Sequence, residues 1–95
     1  MTRILHTLNK APSHTDLLRS LLDVVEPGDT ILLIENGVYC ASHEATQEAF
    51  EGVKVFVLDA DAHARGIYPA EGFELASYSD FVDMCTAHQK VINWY

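Results

Sequence analysis

Apolar positions along the chain fall into short runs and helical stripes that alternate. Arg3-Ile4-Leu5-His6-Thr7-Leu8 is rich in apolar and β-branched residues and meets the breaker-rich Asn9-Lys10-Ala11-Pro12, the signature of a first strand. Ser13-His14-Thr15-Asp16 then has capping-box-like spacing, with Asp in place of Glu. Behind it Leu17, Leu18, Leu21, Leu22 and Val25 recur on one helical face, which predicts an amphipathic helix. Pro27-Gly28 stops it, because proline disfavours helix at the residue before it and glycine accepts positive φ.

Asp29-Thr30-Ile31-Leu32-Leu33-Ile34 is a polar lead followed by an unbroken apolar run, the pattern of a strand covered on both faces at the centre of a parallel sheet. After the turn Glu35-Asn36-Gly37, a helix is predicted from Ser42, with Glu44 in its first turn and Gly52 beyond its end. Val53-Lys54-Val55-Phe56-Val57-Leu58 predicts a third strand, and Asp59 or Asp61 a cap for a short helix that Gly66 ends in a left-handed turn. Phe73-Glu74-Leu75-Ala76 is a weaker fourth strand. Ser79 then caps a helix from Asp80 to about His88, in which Phe81, Val82 and Cys85 share an inward face. The tail Val91-Ile92-Asn93-Trp94-Tyr95 is too apolar to float free and is expected at the sheet edge or in an interface.

Strand-to-strand connections of more than a dozen residues require right-handed crossovers. The fold class expected is therefore α/β, a small layered fold with a mostly parallel central sheet flanked by helices. Ninety-five residues support one core and so one domain, residues 1–95.

Composition narrows the function. A formal charge of -8 repels phosphate backbones and anionic lipid, so direct nucleic-acid binding by this chain alone is not expected. The start Met1 to His6 lacks the basic and apolar regions of a secretory signal, and the run Ile31 to Ile34 falls far short of the roughly 20 residues a membrane helix needs; a cytoplasmic location is expected. In that reducing compartment Cys40 and Cys85 are expected as free thiols.

Ligands gather at the carboxyl ends of parallel strands, which directs attention to Asn9 to Pro12, Glu35 to Ser42 and Asp59 to Asp61. Only the second segment holds a thiol. Cys40, two residues before a predicted helix start, is the candidate persulfide carrier, since helix amides would favour its thiolate. The competing reading, and the preferred one, is a small buried hydrophobe beside Ala41. Cys85 is expected in the core. His6, His14, His43, His63 and His88 lack zinc-site spacing, so no metal is expected. Asn36-Gly37 lacks the remainder of a nucleotide-binding motif, and no cofactor is expected.

The opening Ile4-Leu5-His6-Thr7-Leu8-Asn9-Lys10-Ala11-Pro12 resembles that of the TusB/DsrH family. Gly28-Asp29 through Leu33, Glu35-Asn36-Gly37-Val38, Ala64-Arg65-Gly66, Tyr78-Ser79-Asp80-Phe81-Val82 and Trp94 continue the likeness over almost the whole chain. The resemblance implies a DsrE-like fold and a heterohexamer with TusC-like and TusD-like subunits, or with DsrF-like and DsrE-like ones. It implies a part in sulfur relay, toward 2-thiolation of the tRNA wobble uridine in TusBCD-like systems or toward oxidative sulfur metabolism in DsrEFH-like ones. The family's principal sulfur-carrying cysteine belongs to the TusD or DsrE sibling. Anchored on Ala64-Arg65-Gly66, its place here is Leu58-Asp59, which has no thiol, and this implies an accessory subunit. Some DsrH members carry a further cysteine on the first helix, where this chain has Ser20, which turns the preference toward the TusB role.

Overall fold

The structure is a computed structural model and describes residues 3–95; Met1 and Thr2, where the reading of the N-terminal start begins, lie outside the described residues. In chain order the elements are β1 (Ile4–Leu8), α1 (Thr15–Val24), β2 (Thr30–Leu33), a 3-10 helix (Glu35–Ser42), α2 (Glu44–Ala49), β3 (Lys54–Leu58), α3 (Asp59–Ala64), β4 (Phe73–Ala76), α4 (Tyr78–Ala87) and β5 (Lys90–Trp94). The strands form one sheet in the order β4-β3-β2-β1-β5, and every pairing is parallel. The α/β class and central parallel sheet are as the pattern predicts. β2, buried at all four positions, lies in the middle of the sheet. The tail is an edge strand, β5, in register with β1 from Ile4 opposite Lys90 to Leu8 opposite Trp94.

Topology assigns the helices to two faces. Stepping from β1 to β4 in one direction with right-handed crossovers puts α1, α2 and α3 on a single side, while α4 reverses direction to reach β5 and so crosses the other. The core divides accordingly. A larger cluster joins Leu18, Leu21, Val38, Cys40, Phe50 and Ala62 to Leu8, Ile31, Leu33, Val55 and Val57. A smaller one packs Phe81 and Met84 of α4 on Leu5, Leu32, Ile34, Phe56, Leu58 and Ala76.

Several local expectations are corrected. α1 has His14 at its N-cap with no side-chain cap bond, so the Ser13 to Asp16 spacing is not a capping box. The capping box is at α4, where Ser77 accepts from the Asp80 N–H and Asp80 accepts from the Ser77 N–H; Ser79 lies inside that helix. Neither Asp59 nor Asp61 caps α3, whose N-cap is Leu58. Gly66 does take the left-handed turn, at φ 64°. The turn expected at Glu35-Asn36-Gly37 is the start of a 3-10 helix that runs from Glu35 to Ser42, and the helix expected from Ser42 starts only at Glu44.

Cys85 is exposed, not core. Phe81, Met84 and His88 form the inward stripe of α4, and this turns Val82 and Cys85 to its flank. His88 fixes the rotation: Nδ1 lies 2.7 Å from the Met84 carbonyl and Nε2 3.0 Å from Thr30 Oγ1 on β2. Among the described residues no helix is long and apolar enough to cross a membrane.

Candidate functional site

The three segments singled out at the carboxyl ends of the strands do come together. Asn9 Nδ2 donates to Glu35 Oε2 at 3.4 Å, and the Glu35 N–H donates to Asp61 Oδ2 at 2.6 Å. Arg65 Nε donates to Asn36 Oδ1 at 3.0 Å, and its Nη1 lies 3.9 Å from Asp61 Oδ1. Asp61 therefore anchors the turn after β2 to α3. Glu35 sits at φ 49°, a left-handed conformation uncommon outside glycine, held by these bonds at the end of the central strand. Arg65 and Asp61 are committed to one another and to neighbouring turns, so the rim is braced and offers no nucleophile. Leu58, at the end of β3, is buried, and Asp59, at the start of α3, is exposed.

Cys40 lies beneath this rim, inside the 3-10 helix. Its residue exposure is 0%, and Sγ faces the Lys10 carbonyl at 3.9 Å. Burial pushes the thiol up to about 12, opposite to the lowering that a helix start two residues on was expected to give. The difference has a plain cause: α2 begins four residues after Cys40, and the 3-10 helix turns the thiol into the apolar cluster with Leu8 and Val38. Alkylation of the native chain by iodoacetamide is expected to modify Cys85 and spare Cys40 until the protein unfolds, as peptide mass mapping would check.

A largely buried polar chain links three distant segments that composition and spacing did not single out. His6, at 0% exposure, has Nε2 3.0 Å from Asp29 Oδ2, and the Trp94 indole N–H donates to His6 Nδ1 at 3.1 Å. An indole N–H can only donate, so Nδ1 accepts and the ring proton lies on Nε2, facing the carboxylate. Asp29 also accepts the Ile4 N–H at 3.0 Å and the Glu26 N–H at 3.1 Å. Burial raises its carboxyl, but the bonds from His6, Glu26 and Ile4 outweigh that and hold it below the ordinary value. Thr7, next to His6, donates to Asn93 and so gives β5 a second side-chain tie. The sequence signal was present, since a histidine in an apolar strand and a lone tryptophan in an apolar tail each need a partner.

The chain Asp29-His6-Trp94 has the order of a relay, but no hydroxyl or thiol stands at its end, and it is buried at Asp29 and His6 and half-buried at Trp94. Its work is to tie β5 to β1 and β1 to the turn before β2. Replacing Trp94 with Phe leaves Nδ1 of His6 buried without a donor and is expected to cost about 1–3 kcal/mol, measured by urea unfolding followed by circular dichroism. Among the described residues no group of three or more His, Cys, Asp or Glu side chains could hold a metal ion.

Residues 10–91 match the family described as DsrH like protein. Protein TusB of Cronobacter sakazakii is 32% identical over 96 aligned residues, covering 96% of this chain and 100% of that protein. Protein TusB of Yersinia pestis is 33% identical over the same extent. Among solved structures, the solution NMR structure of Protein Tm0979 from Thermotoga maritima is similar with a TM-score of 0.64 and 29% identity, over 88% of this chain and 92% of that one.

Proposed function

Because the chain belongs to the DsrH-like family, we propose that it is an accessory subunit of a TusBCD-like sulfur-relay complex. It acts in the cytoplasm beside TusC-like and TusD-like subunits in a heterohexamer and supports 2-thiolation of the tRNA wobble uridine. The observation that carries this reading is the braced rim. Where the TusB/DsrH resemblance implies the thiol of a sulfur-carrying sibling this chain has Leu58 and Asp59, and Asp61 and Arg65 are spent on holding turns together. Such an edge shapes a neighbouring site without performing transfer. A net charge of -8 leaves tRNA contact to the other subunits.

Persulfide transfer through Cys40 is the rival. A sulfur carrier must be reached by its donor as a thiolate, and a fully buried thiol pushed up to about 12 is a poor one. The DsrH-type role in sulfur oxidation is disfavoured by Ser20, which sits on the exposed side of α1 bonded to the Asp16 carbonyl at 3.0 Å and cannot hold sulfur.

Co-expression with TusC-like and TusD-like chains from the same genome tests the proposal. The expected result is one co-purifying assembly that, given a sulfur donor, gains a sulfur atom on the TusD-like chain and none on this one. Recovery of this chain only as a lone monomer would overturn the reading, and added sulfur on Cys40 that is lost in Cys40→Ser would replace it with the carrier role.

A further inference from the structure

His6 makes two side-chain bonds of opposite sense, and only one of them survives a second proton. Nε2 faces Asp29 Oδ2 at 3.0 Å, and Nδ1 receives the Trp94 indole N–H at 3.1 Å. Imidazole is the side chain whose charge ordinarily changes between roughly pH 5 and pH 8. A proton from solvent that binds the Nδ1 lone pair makes both ring nitrogens donors, and indole has no acceptor with which to answer. Two N–H groups then point at one another. The bond to Asp29 gains from the same event, because a cationic donor meets a carboxylate. Asp29 stays ionised through that range, its carboxyl lying below 3.8 despite the burial that raises it. The imidazolium therefore stays with Asp29, and Trp94 is the partner that leaves.

No other group opposes this. Among the described residues Asp29 is the one carboxylate buried beside His6. In the sheet His6 is flanked by Ile31 of β2 and Ile92 of β5, and α1 brings Leu21, Leu22 and Val25 to the cluster that holds Trp94. Asp16, Arg19 and Asp23 of α1, Glu26 of the turn and Lys90 of β5 are all exposed, and Lys10 and His14 line a cavity with Tyr95. Nor does the indole face hold the charge. The two ring centroids are 6.2 Å apart and the indole offers its N–H edge, the positive side of its charge distribution.

The end of β5 is lightly held. Trp94 is half-buried, its carbonyl meets the Asn9 N–H only at 3.4 Å, and the one residue after it, Tyr95, is 61% exposed. Asn9 also reaches the rim, where its Nδ2 donates to Glu35 while its buried Oδ1 has no partner. We infer that His6 is a proton-triggered latch: on taking a proton at Nδ1 it keeps Asp29, releases the Trp94 indole and frees the end of β5 beside the carboxyl-end rim. The latch belongs to the free chain, so its test is separate from that of the accessory role.

Trp94 is the one tryptophan of the chain and reports the latch directly. Its fluorescence is followed as the native chain is taken from about pH 8 to about pH 5, with far-ultraviolet circular dichroism recorded alongside. Emission is expected to move to longer wavelength, and back on reversal, with the dichroism unchanged. His6→Gln is expected to hold emission constant, since its amide donates to Asp29 and its oxygen accepts the indole N–H without titrating. His14→Gln, which removes the histidine that shares a cavity with Tyr95, is expected to respond as the native chain does. Emission that stays fixed in the native chain, that moves equally in His6→Gln, that is fixed by His14→Gln, or that moves only as the dichroism is lost overturns the latch. Where His6→Gln does not fold, the indole N–H resonance of the native chain decides by NMR. Loss of its exchange protection over the same pH range supports the latch, and retained protection overturns it.

Discussion

Asp29→Ala is expected to destabilise the protein by about 3–5 kcal/mol, a large share of the roughly 5–14 kcal/mol available to a chain this size, as read from urea unfolding. The estimate follows from what the carboxylate holds. It accepts from His6 Nε2, from the Ile4 N–H that opens β1 and from the Glu26 N–H in the turn before β2. Removing it strands a buried imidazole N–H and frees the two backbone segments it clamps. Asp29→Asn keeps one acceptor oxygen and is expected to lose less. A fall below 1 kcal/mol for the alanine variant would mean that water replaces the carboxylate.

The same group sets an acid limit. Its folded pKa is below the ordinary 3.8, so the charged form is favoured by folding. Its contribution is complete above the unfolded value and is lost as pH falls through 3.8 toward the lower folded one. Urea midpoints taken through that window are expected to fall in the native chain, and to fall less steeply in Asp29→Asn.

Much of the fold was legible because hydrophobic period reports burial directly. The continuous run Ile31 to Ile34 marked the central strand, and the leucine stripe from Leu17 to Val25 marked α1. Helix starts were less legible. Ser, Thr and Asp cluster around the starts of α1, α3 and α4, and which of them caps depends on backbone angles that composition does not carry; Ser77 won over Ser79 because Asp80 could answer it. Cys85 was misjudged because Phe81 shares a face with Cys85 by one spacing and with Met84 and His88 by others. The bond from His88 to Thr30, 58 residues away, selects between them.

The rim at the carboxyl ends was legible as a location, since strand polarity fixes where loops converge, but its bonding was not. Asp61 looked like a cap and proved to be the acceptor for Glu35; Arg65 looked like part of a helix end and proved to clasp Asn36. The Asp29-His6-Trp94 chain was least legible, because Trp94 is 88 residues from His6 and only the pairing of β5 with β1 brings them together. Segments that looked unrelated in the TusB/DsrH resemblance, the histidine of the opening, the Gly28-Asp29 turn and the tryptophan near the end, thus share one physical reason.

Gly37→Ala is expected to be among the most damaging single changes, at about 3 kcal/mol, the upper end of ordinary overpacking. A methyl there would lie 2.9 Å from the Leu8 carbonyl carbon, closer still to its oxygen, and 3.4 Å from Asn9 Cα. Every one of these atoms is backbone, so no side-chain rotation relieves the clash. The Leu8 oxygen also accepts the Ile34 N–H at 3.0 Å, and Gly37 itself donates to the Ile34 carbonyl at 2.8 Å. Moving either segment breaks the joint between β1, β2 and the 3-10 helix. Gly52→Ala is the control: it has φ 84° but no atom within 4 Å, so it carries only the left-handed strain of about 1–2 kcal/mol. Displacing the 3-10 helix should also uncover the thiol it shields. Cys40 in Gly37→Ala is therefore expected to react with iodoacetamide under conditions that leave it untouched in Gly52→Ala, and equal protection in the two would mean that the chain absorbs the methyl elsewhere.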